Sequence, residues 1–516
     1  MTQPLVLTFD MGTQSARAML VAPTGQVVAL AQKVYEKPYF SPQPGWAEQE
    51  PDFYWQAVCE TSLALKEKAG GLWADIIAVT CTTIRDTCLC LDEHCRPLRN
   101  VILWLDKREA RELAGIPPVT SFMFQLARMG DAVQLQRKVS ACNWIARHEP
   151  EVWAKTDKFV FLSAWLTYKL CGTLADSVAS TIGHIPFDSK IRGWMKKSDR
   201  RRAIFDVEDA KLYPLLEPGK TLGAITAGAA RETGMAEGLP LVATGSDKGC
   251  ETLGLSCLAA DAAALSFGTT ATVQVSTRDY LEPLPFIPPY PAVAPGYYNP
   301  EVEIYRGFWL VSWFKREFGA KEVQDAKRLG TSAELLLNQR LAEIPPGCDG
   351  LIFQPYFTPG LVMPHARGAV IGFSDVHTRI HIYRAIVEGI NFSLMEGLHT
   401  IQKRGKLDIK RLFVAGGGSQ SDEICQITAN MFGLPVYRTQ THEVSGIGSS
   451  MVAFIAKGVF ASYDQATQSM VHIKDEFVPD MEEHSIYQKL YDEVFVKIFD
   501  KLSPLYQQIN EINQGV

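Results

Sequence analysis

A short polar turn near the N-terminus combines residue types that can hold a phosphorylated ligand. Asp10 is followed by Gly12, Thr13, Gln14 and Ser15, and an apolar run of strand length lies on either side of the turn. The glycine lets the backbone approach a ligand closely, and the amide and hydroxyl groups that follow can donate to phosphate oxygens. Asp10, at the end of the first apolar run, is placed to hold a cation directly or through water. The turn predicts a phosphate site, although a hairpin with an ordinary polar turn fits a single copy equally well.

A second turn of the same kind occurs about half a chain later. Residues 263–277 read AALSFGTTATVQVST, so an apolar strand leads into Gly268 and Thr269, and an alternating strand follows. A strand–Gly-Thr–strand unit that occurs twice suggests two similar domains, each offering a turn to one nucleotide. In this alignment Ser266 stands where the first copy has Asp10, as expected if only the first turn serves a metal. The alternative is chance similarity, because the repeat is short.

Two further groups of charged residues follow predicted strands. Residues 241–244 predict a strand that delivers Asp247 and Lys248, and carboxylates at such strand ends are common in the active sites of α/β folds. Arg85 and Asp86 lie between two apolar strands. Charged residues at such a junction are unexpected unless they are paired or wait for a polar ligand.

The run from Trp104 through Asp106 to Arg108 offers one aromatic face, one acceptor and one forked donor within five residues. That set suits a polyhydroxylated ligand, because the ring can cover C–H faces while the charged groups bond hydroxyls. The alternative is the start of a helix with solvated charges.

A glycine-rich loop lies between a predicted strand and a predicted helix in the last quarter of the chain. Residues 412–415 predict the strand, the sequence GGGSQS follows from Gly416, and the helix continues to about residue 432. Glycines in this position bring a helix N-terminus up to an anion or a nucleotide. Gly417, Gly418 and Ser421 are therefore candidate nucleotide-binding residues.

The elements that must position these groups alternate between strands and helices. We predict strands at residues 27–31, 76–83, 88–92 and 101–105, helices at residues 52–68, 159–170 and 380–398, and a mostly helical region at residues 110–240. Residues 282–300 contain seven prolines and predict a rigid irregular loop, either a flap or an oligomer contact.

Size and composition restrict the class of protein. With 516 residues the chain is too long for one compact core, so two domains are expected. A net charge of -6 argues against non-specific binding to nucleic acid, and no apolar run approaches the length of a membrane span. The eleven cysteines lack the spacing of a disulfide framework, which favours a cytoplasmic protein with reduced thiols. Cys88 and Cys90 alternate on one strand face, so we expect core packing there rather than a metal site with His94 and Cys95.

Together these motifs resemble the FGGY family of carbohydrate kinases, which belongs to the actin, hexokinase and Hsp70 superfamily. The first turn matches the family's phosphate motif, and residues 245–255 resemble its GxDQ segment. Residues 368–388 (GAVIGFSDVHTRIHIYRAIVE) fit its C-terminal signature, and residues 416–432 resemble its adenine-side loop and helix. The resemblance covers nearly the whole chain, and four motifs in the right order are more specific than any one of them.

The resemblance implies an α/β fold with two RNase H-like (actin-like ATPase) domains and a cleft between them. The first domain, residues 1–256, would carry the first phosphate turn, the acceptor site and the catalytic carboxylate, and the second, residues 257–516, the second turn and the adenosine site. The implied reaction is transfer of phosphate from ATP, with Mg²⁺, to a hydroxyl of a small sugar or polyol. A ketopentose such as xylulose is the first expectation, and glycerol, another polyol, a sugar acid or a non-catalytic ATP-binding regulator are the alternatives. A homodimer is left open, since dimers are the commonest assembly.

By the same resemblance each candidate residue takes a role. Asp247 would be the catalytic base and Asp10 would help to hold Mg²⁺. The acceptor would contact Arg85, Asp86, Trp104, Asp106 and Lys248. ATP would contact Gly12, Thr13, Gln14, Ser15, Arg17, Gly268, Thr269, Gly417, Gly418 and Ser421.

Two of the departures from the family pattern concern predicted acceptor residues. The pair Arg85-Asp86 is nearer to the Arg-Glu pair of glycerol kinases than to the Met-His pair of xylulokinases. Lys248 replaces the usual glutamine beside the base. It could bond the transferring phosphoryl group or an acidic acceptor, or it could be a surface residue.

Overall fold

Two six-stranded sheets form the centre of the molecule, one in each half of the chain. The computed structural model describes residues 3–111, 113, 115–126, 129–284, 287–358, 360, 363 and 365–514. The first sheet has the spatial order Val27–Val34, Ser15–Val21, Leu5–Met11, Ile76–Thr83, Pro240–Val242, Thr221–Ala224. The second has the order Glu301–Ile304, Ala271–Val275, Ala262–Phe267, Arg411–Ala415, Val436–Thr439, Ile473–Phe477.

The two sheets share one topology. In each sheet, the first strand along the chain pairs antiparallel with the second, and the second pairs antiparallel with the third. On its other side the first strand pairs with a parallel strand, which in turn pairs with another parallel strand, and an antiparallel strand forms the far edge. The short repeat in the sequence therefore corresponds to two copies of the same sheet. This confirms the prediction of an α/β fold with two similar domains.

The helices cover the faces of the two sheets and fill the segments between them. They are Pro51–Ala69, Pro118–Leu126, Gly130–Val139, Ala141–His148, Pro150–Lys155, Leu162–Cys171, Ala227–Thr233, Asp247–Gly254, Trp309–Phe318, Ala320–Leu329, Ala333–Gln339, Arg379–Gly405, Asp422–Phe432, Val444–Ala456, Tyr463–Met470, Met481–Leu490 and Val496–Gln514. Short 3₁₀ turns occupy Gly70–Asp75, Arg200–Ile204, Asp209–Lys211, Arg340–Glu343, Cys348–Gly350 and Gly417–Gln420, and Tyr491–Phe495 is a π turn. No helix in the described ranges combines the length and the apolar character needed to cross a membrane.

Short strands outside the two main sheets form small accessory sheets. Four of them make one sheet in the order Glu48–Gln49, Val101–Ile102, Cys88–Leu91, Lys158–Phe161. The others pair as Asp176–Ser177 with Leu215–Leu216, Phe187–Asp188 with Gly193–Trp194, Tyr290–Pro291 with Tyr298–Asn299, and Ile352–Gln354 with Ala369–Ile371.

The helix Val444–Ala456 joins the two halves. Although it belongs to the second half of the chain, it packs on the first sheet, where the Ser450 and Thr8 hydroxyl oxygens lie 2.8 Å apart and Ser449 Oγ donates to Thr80 Oγ1 over 3.0 Å. It also crosses the helix Asp247–Gly254 at close range. The division at residue 256 stays a prediction, because this helix contributes to the core of the first sheet.

Several predicted elements need correction. The helix predicted at residues 159–170 begins only at Leu162, because Lys158–Phe161 pairs as a strand with Cys88–Leu91. Residues 110–240, predicted as mostly helical, also contain six short strands in the part that the structure describes, and these strands belong to four sheets. The strand predicted at residues 101–105 ends at Ile102, because Leu103 accepts from the Asp106 amide in a turn. By contrast, Ile76–Thr83 forms as predicted, and Cys88 and Cys90 lie in an apolar core cluster.

Candidate active site

A cleft of about 790 Å³ opens between the two sheets, and residues from both halves of the chain line it. The lining includes most of the residues that the sequence singled out, namely Gly12, Thr13, Gln14, Ser15, Arg17, Arg85, Asp86, Trp104, Asp247, Lys248, Gly268, Thr269, Gly417 and Gly418. Asp10, Asp106 and Ser421 are predicted site residues that do not contribute to the lining among the described residues.

The two glycine–threonine turns lie at equivalent ends of antiparallel strand pairs. In the first, the Gly12 amide donates to the Ser15 carbonyl over 3.0 Å, and Trp104 Nε1 donates to Thr13 Oγ1 over 3.0 Å. In the second, the Gly268 carbonyl accepts from the Phe308 amide over 3.1 Å, at the start of the helix Trp309–Phe318. Both turns therefore face one cleft with their shape set by neighbouring elements.

Asp247 is the first residue of a helix whose N-terminus points into the cleft. Ser246 caps this helix by accepting from the Gly249 amide over 3.2 Å, and Thr82 donates to the Gly245 carbonyl over 2.9 Å. Asp247 Oδ1 accepts from the Lys248 amide over 2.8 Å, and no described residue bonds Oδ2. One carboxylate oxygen is thus oriented by the backbone while the other remains available to a ligand.

Asp10 lies at the end of the first strand, beneath the first turn. Its nearest cation is Arg17, whose Nη1 is 3.7 Å from Asp10 Oδ2. Burial raises the pKa of Asp10 to about 7, and the nearby carboxylates of Asp247, Glu443 and Glu251 add to the shift while Arg17 opposes it. A carboxylate in such surroundings is stabilised in its charged form by an added cation.

Asp10 fits a Mg²⁺ site in which the nucleotide supplies most of the ligands. Among the described residues, no group of three or more His, Cys, Asp or Glu side chains is placed to hold a metal ion. Mg²⁺ often binds through one or two carboxylates together with water and the phosphates of its substrate. Asp10 would therefore supply a protein ligand, directly or through water, and the nucleotide would supply the others.

Residues from both halves of the chain meet around Arg85, which also lines the cleft. Arg85 Nη2 lies 2.9 Å from Glu301 Oε1, and its guanidinium stands 5.2 Å from the centre of the Tyr290 ring. Glu303 also lines the cleft, and burial raises its pKa. Tyr290 belongs to the proline-rich loop at residues 282–300, of which residues 285 and 286 lie outside the described residues. The described part of this loop contributes to the cleft wall and is not wholly irregular as predicted, because it contains two short strands, Tyr290–Pro291 and Tyr298–Asn299, that pair with each other.

Asp86 forms a tight pair with His184. The His184 Nδ1 and Asp86 Oδ2 atoms lie 2.5 Å apart, and the His184 amide donates to Asp86 Oδ1 over 2.9 Å. Asp86 has a φ of 46°, and a Cβ at Gly183 would lie only 2.3 Å from Asp86 Oδ1, so glycine is required there. Burial lowers the pKa of His184, but Asp86 outweighs it and raises that pKa above its ordinary value. The contact with Asp86 therefore favours the protonated form of His184.

The predicted ligand role of Asp106 is wrong, because the structure gives this residue a packing role. Asp106 Oδ2 accepts from the Ala47 amide over 2.6 Å, and Oδ1 accepts from Arg108 Nε over 2.8 Å. The Arg108 guanidinium is buried between the rings of Trp46 and Trp144, at 4.0 and 4.6 Å from their centres. Of the residues 104, 106 and 108, only Trp104 reaches the cleft.

Ser421 is also a structural residue. Its Oγ accepts from the Ile424 amide over 3.3 Å and so caps the helix Asp422–Phe432, and it donates to Glu423 Oε2 over 2.7 Å. Gly417, by contrast, has open space where a Cβ would be, as expected of a wall that a nucleotide approaches. This end of the cleft also contains Phe308, Trp309, Val311, Ser312, Glu334, Asn338 and Ile424.

Lys248 lies inside the cleft wall, so its interpretation as a surface residue is wrong. Its side chain is 17% exposed, its ammonium bonds Ser266 Oγ, and Nζ is 3.3 Å from Glu251 Oε1. Sequence reasoning missed His184, Tyr290, Glu301 and Glu303. They carry no local motif. His184, Tyr290 and Glu303 line the cleft, and Glu301 is the ion-pair partner of Arg85.

Comparison with known proteins identifies relatives that span the whole chain. The model of the FGGY family of carbohydrate kinases, N-terminal domain, matches residues 5–254, and that of its C-terminal domain matches residues 263–457. A xylulose kinase of Lactococcus lactis subsp. lactis is 26% identical over 98% of this chain and 99% of its own. Two crystal structures from Lactobacillus acidophilus, of a ligand-bound xylulose kinase and of a gluconate kinase, are each 21% identical with TM-scores of 0.81 over 98% of this chain and 100% of theirs. These likenesses show a two-domain actin-like ATPase fold.

Proposed function

Because the chain belongs to the FGGY family of carbohydrate kinases and is an ATP-dependent sugar kinase, we propose that its acceptor is an uncharged ketopentose such as xylulose. The alternative of a non-catalytic regulator is not retained. Relatives of the same fold include both a xylulose kinase and a gluconate kinase, so the choice between a ketose and a sugar acid depends on the acceptor end of this cleft.

The observation that supports a neutral acceptor is the pairing of the cations at that end. Arg85 lies 2.9 Å from Glu301, and His184 lies 2.5 Å from Asp86. Glu303 adds a further acidic group. Among the described residues, Arg85 and His184 are each paired with a carboxylate, so neither is left to balance an acceptor carboxylate, and burying an unbalanced charge is costly.

The same groups suit hydroxyls. Carboxylates accept hydrogen bonds from hydroxyl groups, and a guanidinium donates to their oxygens. Trp104 and Tyr290 offer aromatic faces to the C–H groups of a sugar. A short polyhydroxylated chain would therefore satisfy both the polar and the apolar parts of this wall.

In the proposed reaction Asp247 Oδ2 accepts the proton of the attacking hydroxyl. The acceptor oxygen forms a bond to the γ-phosphorus of ATP while the bond from that phosphorus to the β–γ bridging oxygen breaks, leaving its electron pair on ADP. The amides and hydroxyls of the two turns hold the phosphate oxygens. Mg²⁺, for which Asp10 would provide a ligand, would neutralise phosphate charge when bound.

The test is an acceptor panel with the wild-type enzyme, measured by ADP release. The panel contains D-xylulose, other ketopentoses, tetritols, glycerol and gluconate at matched concentrations with ATP and Mg²⁺. We expect the highest kcat/KM for a ketopentose and no turnover of gluconate above the rate without acceptor. A higher kcat/KM for gluconate than for every ketopentose would overturn the proposal. Replacing Mg²⁺ with the chelator EDTA tests whether the reaction requires a divalent metal ion, and we expect phosphate transfer to stop.

Two further expectations remain proposals. A homodimer is tested by light scattering on the purified protein, and a cytoplasmic location by fractionation of cells that express it. Neither affects the assignment of the acceptor.

A further inference from the structure

We propose that the Lys248 ammonium binds the γ-phosphoryl group of ATP at the second turn during transfer. This inference deepens the proposed function and rests on it only for the reaction class, which is phosphotransfer from ATP. It assigns to Lys248 one of the two ligand roles that the sequence left open.

The first observation is the position of the ammonium over the second turn. Lys248 Nζ bonds Ser266 Oγ, although the two residues belong to different halves of the chain. A Cβ added at Gly268 would lie 3.9 Å from Nζ and 4.0 Å from Ser266 Oγ. The ammonium is therefore held beside the glycine that lets a phosphate approach the backbone.

The second observation is the relation between the two turns. Ser266 stands at the same place in the second sheet as Asp10 does in the first, two residues before the glycine of the turn. At the first turn an acid can hold a cation against the phosphates. At the second turn the acid is replaced by a hydroxyl, and the hydroxyl is bonded by the Lys248 ammonium. The second turn therefore has a positive charge from the Lys248 side chain, whereas the first turn acquires one only when a metal ion binds at Asp10.

The third observation is the unused bonding capacity of Lys248. An ammonium group has three donors, and Ser266 and Glu251 account for two of them. Burial lowers the pKa of Lys248, but Glu251 and Asp247 outweigh it and raise that pKa above its ordinary value, so the group is charged. Because Lys248 lines the cleft, the third donor is available to an anionic ligand there.

A phosphoryl group fits this donor better than an acceptor carboxylate does. Asp247 and Lys248 both line the cleft, and the Asp247 carboxylate is near enough to the Lys248 ammonium to favour its charged form. When the hydroxyl proton moves to Asp247 and the acceptor oxygen bonds the γ-phosphorus, the bond to the β–γ bridging oxygen breaks. Negative charge is then spread over the oxygens of the moving group, and a fixed cation stabilises it without donating a proton.

The binding experiment uses no acceptor, so an error in the proposed acceptor cannot affect it. Affinities for ADP and for the non-hydrolysable analogue AMP-PNP, each with Mg²⁺, are measured by calorimetry for the wild type and Lys248→Gln. We expect affinity for AMP-PNP to fall roughly 10- to 100-fold and affinity for ADP to change less than about threefold, because only AMP-PNP carries a γ-phosphoryl group. Equal losses for both nucleotides, or no loss for AMP-PNP, would overturn the inference.

A matched control makes the same chemical change elsewhere. Lys33 pairs with Glu60 at 2.6 Å, away from the cleft, so Lys33→Gln also removes one lysine from one ion pair. We expect its nucleotide affinities to match those of the wild type. Lys248→Arg keeps the charge and is expected to recover part of the AMP-PNP affinity, which a purely steric role would not allow.

Kinetics and labelling complete the test. With any active acceptor, Lys248→Gln is expected to lower kcat roughly 10- to 100-fold while the acceptor KM changes less than about threefold. A raised acceptor KM with unchanged AMP-PNP affinity would assign Lys248 to the acceptor and contradict the inference. If the variant does not fold, wild-type protein is labelled with an amine-reactive reagent. AMP-PNP should then protect Lys248 more than ADP does, and equal protection would contradict the inference.

Discussion

Gly448→Ala is expected to disable the enzyme although Gly448 is not among the described residues that line the cleft. The helix Val444–Ala456 crosses the helix Asp247–Gly254 so closely that backbone meets backbone. A Cβ added at Gly448 would lie 1.9 Å from the Cys250 carbonyl oxygen and 2.8 Å from the Gly254 amide nitrogen. These are main-chain atoms, so no side chain can move aside to make room.

The size of the effect follows from the overlap. Ordinary contact begins near 3.4 Å, so the two helices must separate by about 1.5 Å where the added Cβ lies 1.9 Å from Cys250. Overpacking of this kind costs about 1–3 kcal/mol of folding free energy. Asp247 stands at the start of the displaced helix, and a misplacement of about 1 Å at a reacting group can lower the rate about 10²-fold.

The assay measures thermal unfolding and the steady-state rate of ADP release in parallel. We expect Tm to fall by about 2–4 °C for each kcal/mol of folding free energy that is lost, and kcat to fall about 10²-fold. Gly71→Ala is the matched control, since a Cβ there meets no atom within 4 Å. If Gly448→Ala kept the Tm and kcat of the wild type, the close helix crossing would not position Asp247 and the reasoning would be refuted.

Three more predictions concern individual carboxylates. Asp106→Asn should lower the free energy of unfolding, measured by urea denaturation, by about 3 kcal/mol, because Asp106 balances the buried charge of Arg108. The acceptor KM of this variant should stay within about threefold of the wild-type value. Glu301→Gln should raise the acceptor KM about 10- to 100-fold, because it leaves Arg85 without its partner; an unchanged KM would remove Arg85 from the acceptor wall. Burial raises the pKa of Asp176 to about 7, so the folded state keeps its proton to higher pH than the unfolded state. The free energy of unfolding should therefore fall as the pH rises from about 4 to about 7, by at most about 4 kcal/mol, and Asp176→Asn should flatten this slope in urea titrations across that range.

The parts of the site that could be predicted from sequence are those encoded by neighbouring residues. Gly12 and Thr13 follow a continuous apolar strand, and Gly268 and Thr269 do the same in the second half. Local patterns of this kind determine both the strand and the turn, so the two turns and the repeated sheet were predicted correctly. Asp247 was identified as a site candidate for the same reason, because a strand, a glycine and a helix surround it.

The parts that could not be predicted depend on contacts between distant segments. Glu301 contributes to the site only through its ion pair with Arg85, which lies 216 residues earlier in the chain. Asp106 was misassigned because its partner Arg108 was interpreted as a ligand group, while the two tryptophan rings that bury that arginine come from other segments. The sequence predicts helix at residues 159–161 because the strand partner of Lys158–Phe161, Cys88–Leu91, lies about 70 residues earlier in the chain.

Phosphotransfer by Asp247→Asn tests the central claim most directly. The claim is that the two turns hold ATP while the Asp247 carboxylate takes the proton of the acceptor. The substitution keeps the shape of the side chain and removes the base, and Asp408→Asn, which makes the same change at an exposed ion pair, is the control. We predict that the rate of product formation falls about 10²–10⁴-fold for Asp247→Asn while its affinity for ATP with Mg²⁺ stays within about threefold of the wild type. A wild-type rate in this variant would contradict the account.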